Sequence, residues 1–212
     1  MKIKICGLKF ESNIISLSKL EPDYMGFIFW NKSKRHVKGS TPNLSETKIK
    51  KTGVFVNADF ENIKEKTYGH KLKAIQLHGQ ESPEFCKKIK NLGVEIIKAF
   101  SVDENFNFDI LEKYDLFSDY FLFDTKGKSP GGNGISFNWE ILRNYKYKKK
   151  FFLSGGIGLE SVDAIKKIKN LDIPLFCIDI NSRFELNPGK KNIELIKSFK
   201  NNLENEIQSW RK

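Results

Sequence analysis

Residues 151–168 read FFLSGGIGLESVDAIKKI. A short apolar run, 151–153, comes first. A polar and glycine turn follows, Ser154-Gly155-Gly156-Ile157-Gly158. The stretch 160–168 then carries Val162, Ile165 and Ile168 on one helical stripe. This is a strand–turn–helix unit, and it recurs outward in both directions. Apolar, β-branched or aromatic runs stand at 3–6, 24–29, 53–56, 74–77, 95–99, 120–123 and 175–178. Continuous apolar runs, rather than alternating ones, are the mark of strands buried on both faces, as in a parallel sheet.

Helix-like segments lie between the runs. Residues 12–20 place Ile14, Ile15, Leu17 and Leu20 at helical spacing, with Ser12 as the N-cap. A second segment, 58–67, begins beside Asn57 and Asp59. Ser82-Pro83-Glu84 puts proline at the first position of a helix reaching Asn91, and Gly93 stops it. Residues 192–203 carry Ile193, Ile196 and Phe199 on one stripe. Segments 44–50, 104–114 and 139–145 are weaker but helix-compatible. Eight such units in 212 residues predict an α/β fold, a compact (β/α)8 TIM barrel near the lower size limit of that architecture. A doubly wound open sheet fits less well. It often carries a glycine fingerprint after its first strand, where Gly7-Leu8-Lys9 stands here. No linker or composition break interrupts the chain, so residues 1–212 read as one domain.

Composition narrows the function classes. Eighteen Phe argue against disorder. The longest conspicuous apolar run, 25–30, is strand-sized, and MKIKICGLKF at the start has no signal-peptide core. A soluble cytoplasmic protein is expected. Cys6, Cys86 and Cys177 are too widely spaced for a zinc or redox motif, so neither metal nor cofactor is expected. The net charge of +11 suits an acidic partner, but 33 of the 37 basic residues are Lys, and they are scattered. A nucleic-acid binder concentrates its charge and uses Arg. The expected partner is a phosphorylated small molecule, with neither nucleic acid nor membrane, and the chain acts as a monomer or homodimer.

In a barrel, chemistry gathers at the C-terminal ends of the strands. Those ends hold Cys6, Arg35 in the loop 31–36, Gln76 and His78, Asp124, Ser154 to Gly156, and Asp179 to Arg183. A glycine-rich loop containing Gly132, Asn133 and Gly134 follows Asp124. Glycines let backbone N–H groups approach a phosphate, and barrels commonly bind phosphate after strands 7 and 8. A tight turn is the plainer reading of such glycines, and their place after strand 7 favours phosphate. Free Cys is commonly a small core residue, which suits Cys86 and Cys177. Cys6 ends a strand and precedes glycine, and a thiolate there can act as a base. Asp124, on a strand across the barrel, can act as an acid. A base and an acid on opposed strands suit a proton-transfer isomerisation.

The ordered set Lys4-Ile5-Cys6-Gly7-Leu8, Gly26-Phe27-Ile28-Phe29 with Ser33-Lys34-Arg35, Gly53-Val54-Phe55-Val56-Asn57, Gln76-Leu77-His78-Gly79, Asp124-Thr125, Gly131-Gly132-Asn133-Gly134, and Leu153-Ser154-Gly155-Gly156-Ile157 resembles the phosphoribosylanthranilate isomerases. Asp179 to Glu185 followed by Pro188-Gly189 completes the resemblance, which runs from residue 4 to about residue 191. It implies an Amadori rearrangement in tryptophan biosynthesis, with the position of Asp124 as general acid and that of Cys6 as general base. It further implies that Arg35 meets the anthranilate carboxylate. Gly132–Gly134, Ser154–Gly156 and Ser182–Arg183 would surround the phosphate, with Gln76, His78 and Asp179 also facing the substrate. Two loops depart from the family pattern. Asn133 stands where Thr or Ser is usual, and Asn181-Ser182-Arg183-Phe184-Glu185 replaces a Ser-Ser-Gly-Val-Glu run. Related phosphosugar barrels fit less well: the aminoaldose isomerase of histidine biosynthesis has a carboxylate where Cys6 stands, and indole-glycerol-phosphate synthase relies on strand-end Lys and Glu.

Overall fold

The computed structural model describes residues 1–125 and 138–209. Eight parallel strands close into a barrel in sequence order: β1 (Lys2–Ile5), β2 (Tyr24–Ile28), β3 (Lys50–Phe55), β4 (Ala74–Leu77), β5 (Glu95–Val102), β6 (Tyr120–Thr125), β7 (Phe151–Leu153) and β8 (Leu175–Ile180). All eight expected strands are present. β6 runs one step past Asp124, so the carboxylate belongs to the strand rather than to the loop after it. The pair β1–β8 closes the ring, with Lys4 opposite Asp179.

Strand alternation sorts the side chains. Outward residues such as Phe27, Phe121, Phe123, Phe151 and Ile178 join the helical layer in the larger core. Inward residues Tyr24, Ala74, Ile97, Leu122, Phe152 and Cys177 fill the lower barrel. There Tyr24 and Tyr120 meet Phe152 edge-on, at centroid distances of 5.2 and 5.4 Å. This apolar plug closes the bottom, so polar inward side chains collect above it.

The outer layer departs further from expectation. α1 (Glu11–Ser18) starts after Phe10 and has no side-chain cap, so Ser12 lies inside the helix and does not cap it. α2 (Phe60–Gly69) is capped by Asp59, and α3 (Pro83–Lys90) by Ser82, whose side chain accepts from Phe85 N. α4 (Val162–Lys169) follows a short 3₁₀ turn, Leu159–Ser161. The segments near 104–114 and 139–145 form 3₁₀ helices, Phe108–Tyr114 and Trp139–Asn144. The segment 44–50 is not a helix: it forms turns, and Lys50 opens β3. A hairpin, β9 (Glu185–Asn187) and β10 (Lys190–Lys191), intervenes before α5 (Ile193–Ser209). Asn13 stitches it to α1: Nδ2 donates to Lys191 O at 3.0 Å, and Lys191 N donates to Asn13 Oδ1 at 2.8 Å. Among the described residues no helix is long and apolar enough to cross a membrane.

Candidate active site

Above the apolar plug, the inward positions of successive strands open into one cleft. Cys6, Gln76, His78, Asp124, Ser154 and Asp179 all line it. Period-2 alternation explains the grouping: each of these residues continues the inward face of its own strand.

Cys6 stands at the upper end of β1. Its thiol is packed against β2, where a Cβ built on Gly26 would lie 2.7 Å from the sulfur. Only glycine leaves room for the thiol there. Lys4 sits two residues below on the same face, fully buried, and its ammonium donates to Asp179 Oδ2 at 2.7 Å. Burial pushes the Cys6 thiol up from its ordinary pKa; the ammoniums of Lys4 and Lys191 pull it down, and Asp179 opposes them. Burial likewise works against the charge of Lys4, but Asp179 and Cys6 reverse that and raise its pKa. Burial raises the Asp179 carboxyl above its ordinary range, Lys4 lowers it, and nearby Asp124 raises it further. Asp179 Oδ1 is buried and has no hydrogen-bond partner among the described residues. A buried acceptor left open is costly, so it is available to a ligand donor.

Asp124, on β6, lines the same cleft as Cys6 from three strands away around the ring. Its Oδ1 accepts from Thr125 N at 3.0 Å. His78 Nε2 lies 3.2 Å from Oδ2 without a hydrogen bond between them. Gln76 Nε2 sits 2.6 Å from His78 Nδ1. Gln76 and His78 therefore form the wall beside the carboxylate.

The turn after β7 is built by glycine. Gly155 has φ +94°, and a Cβ there would lie 2.1 Å from Thr125 Oγ1 and 2.6 Å from Thr125 N. Without a side chain, the turn folds against the end of β6 and brings Ser154 to Gly156 into the cleft. Ser182, after β8, lines the same wall. Arg183 does not. Its guanidinium pairs with Glu160, half-exposed, in a separate surface cleft. Arg35 lines the main cleft while Glu185 Oε1 accepts from its Nε at 2.8 Å and Glu185 Oε2 from its Nη2 at 2.6 Å. Its Nη1 has no hydrogen bond among the described residues. Gly132, Asn133 and Gly134 lie outside the described residues.

Reading by strand end missed several members of the site. Lys4 shares the inward face of Cys6, two residues away, so parity along β1 was the available signal. The apolar wall of Ile28, Trp30, Val54 and Val56 was read only as strand core. Lys191 gave no signal, because its approach to the cleft depends on the unanticipated hairpin. The whole cleft has one apolar wall, the thiol of Cys6, the carboxyl of Asp124 and a glycine turn.

Comparison with known proteins agrees with this arrangement. The family model described as N-(5'-phosphoribosyl)anthranilate (PRA) isomerase matches residues 3–202. The N-(5'-phosphoribosyl)anthranilate isomerase of Parabacteroides distasonis is 42% identical over 205 residues, covering 94% of this chain and 91% of that protein. The crystal structure of phosphoribosyl anthranilate isomerase from Thermotoga maritima superposes with a TM-score of 0.81 at 29% identity, over 97% of this chain and 99% of that one. A phosphoribosyl anthranilate isomerase solved in complex with reduced 1-(o-carboxyphenylamino)-1-deoxyribulose 5-phosphate superposes at 0.77 with 28% identity, over 97% and 99% of the two chains. The chain, an eight-stranded β/α barrel with its cleft at the strand ends, therefore belongs to the N-(5'-phosphoribosyl)anthranilate isomerase family and is an isomerase.

Proposed function

We propose that this isomerase converts N-(5-phosphoribosyl)anthranilate to 1-(2-carboxyphenylamino)-1-deoxyribulose 5-phosphate, in tryptophan biosynthesis, with Asp124 as general acid and Cys6 as general base. One observation carries the reading: the carboxyl and the thiol, from strands three apart around the ring, line a single cleft that also holds a glycine turn. Asp124 donates a proton to the furanose ring oxygen. The C1–O bond breaks, and the nitrogen lone pair forms a Schiff base. The Cys6 thiolate then takes the proton from C2, giving an enolamine. Tautomerisation of the enolamine yields the aminoketose. No atom is lost or gained, and no electron acceptor is required.

The remaining groups hold the two anionic ends. Backbone N–H groups of Ser154 to Gly156 and of Ser182 suit the phosphate, together with the loop bearing Gly132, Asn133 and Gly134. Arg35 serves the anthranilate carboxylate through its open Nη1 edge, while Glu185 fixes the rest of the fork. Ile28, Trp30, Val54 and Val56 give the aromatic ring an apolar wall. Arg183, turned toward Glu160, takes no part in this arrangement. We read residues 1–212 as one catalytic domain, since the barrel draws its strands from Lys2 through to Ile180.

A fluorescence assay tests this directly, following consumption of phosphoribosylanthranilate made in place from anthranilate and phosphoribosyl pyrophosphate. The wild-type chain should consume it. Asp124→Asn should keep the fold and lose about 10²–10⁴-fold in turnover, the usual worth of general acid catalysis. Near-native turnover in that variant would remove Asp124 from the mechanism.

A further inference from the structure

Lys191 is a fully buried cation that the mechanism above leaves without a role. It stands on β10, beside the last turn of the barrel mouth. Its Nζ donates to Asn181 O at 3.1 Å, Asn181 Oδ1 at 2.7 Å and Glu185 Oε1 at 2.8 Å. All three ammonium protons are thereby used. The same Glu185 Oε1 also accepts from Gly189 N at 3.0 Å, within the hairpin turn. Its carboxylate further grips the Nε and Nη2 of Arg35.

Both arms of this network close on the residue next to Cys6. A Cβ built on Gly7 would lie 2.5 Å from Asn181 Oδ1 and 2.6 Å from the Arg35 Cδ. We propose that Lys191 is a positioning residue for the isomerisation: it holds Glu185, and through it Arg35, in place at the cleft. This inference rests on the reading of Arg35 as the group that meets the substrate carboxylate.

The network is held by charge as well as by hydrogen bonds. Lys191 and Arg35 are two cations around the one carboxylate of Glu185. Against the effect of burial, they hold the Glu185 carboxyl below its ordinary range. Lys4 and Asp179 form a separate buried pair, on β1 and β8.

The test is steady-state kinetics of Lys191→Met, Lys191→Arg and Arg35→Met, with phosphoribosylanthranilate as substrate. Lys191→Met should raise KM severalfold with kcat nearly unchanged, as Glu185 and Arg35 lose their seat. Lys191→Arg should return KM toward the native value. A Lys191→Met enzyme with a lower melting temperature but a native KM would reduce Lys191 to hairpin support and overturn the proposal. If Lys191→Met does not fold, Glu185→Gln decides, because it keeps both cations and weakens the link between them. There KM should rise severalfold as Arg35 loses its seat, and an unchanged KM overturns the proposal. A native KM in Arg35→Met overturns the reading of Arg35 itself. A raised KM in Arg35→Met beside a native KM in Lys191→Met overturns only the role of Lys191.

Discussion

The two residues given the chemistry, Cys6 and Asp124, could be found by position alone. Each ends the inward face of a strand, where a barrel exposes side chains to its mouth. Their partners were harder to see. Arg35 and Glu185 are 150 residues apart in sequence, and nothing local to either announces the pair. Lys4 is the intermediate case, legible by strand parity yet easily taken for a surface lysine. The proposed base makes a definite pH prediction. Burial raises the Cys6 pKa, and only the deprotonated thiol accepts a proton. Activity should therefore rise with pH through the thiol's titration, rather than fall. Cys6→Ser and Cys6→Ala should abolish turnover while affinity for a reduced product analogue changes little, since phosphate and carboxylate are held by other loops. Calorimetric titration beside the activity assay would decide this. Preserved turnover with a lowered melting temperature would leave Cys6 a packing residue.

At the scale of elements, the strands were more legible than the helices, for a physical reason. A closed barrel buries both faces of every strand, so each becomes a continuous apolar run. An outer helix needs only one buried stripe, and a short one needs less. Phe108 with Leu111, and Trp139 with Leu142, are buried pairs three residues apart. That is the repeat of a 3₁₀ turn, and Asn107 and Asn138 cap these turns by accepting from Asp109 N and Glu140 N. In 44–50 the buried residues Leu44 and Ile49 are five apart, which fits neither helical repeat. The glycine turn after β7 is where an element meets function. Gly155→Ala must place a methyl against Thr125 at a positive φ. The strain should cost upward of about 1 kcal/mol, or about 2–4 °C in melting temperature for a chain of this size. KM should rise as the phosphate N–H groups shift. A melting curve and a KM measurement on this variant test both halves. Native KM in a destabilised protein would detach the turn from phosphate binding.

For the whole molecule, the question is what a net charge of +11 does. Among the described residues three of the four buried lysines are matched by a carboxylate, and the fourth, Lys51, donates to Pro42 O at 2.9 Å. Lys4 pairs with Asp179, Lys98 with Glu81, and Lys191 with Glu185. Most of the excess therefore belongs to the outer surface, where the lysines are scattered and hydrated. A scattered positive surface has no groove for a duplex, but it still makes a long-range field. The proposed substrate carries a phosphate and a carboxylate, so that field should draw it toward the mouth. Salt separates the two populations of charge. At an ionic strength of about 0.1 M the screening length is about 10 Å, shrinking to about 3 Å at 1 M, while buried pairs are screened much less. Raising sodium chloride through that range should therefore raise KM severalfold and leave kcat nearly constant. The expected pattern is a steep fall of kcat/KM with salt in the wild type, with the ascending pH limb unmoved. A kcat that falls in step with kcat/KM would mean that salt reaches the buried pairs. A KM that ignores salt would mean that the lysine excess plays no part in substrate capture.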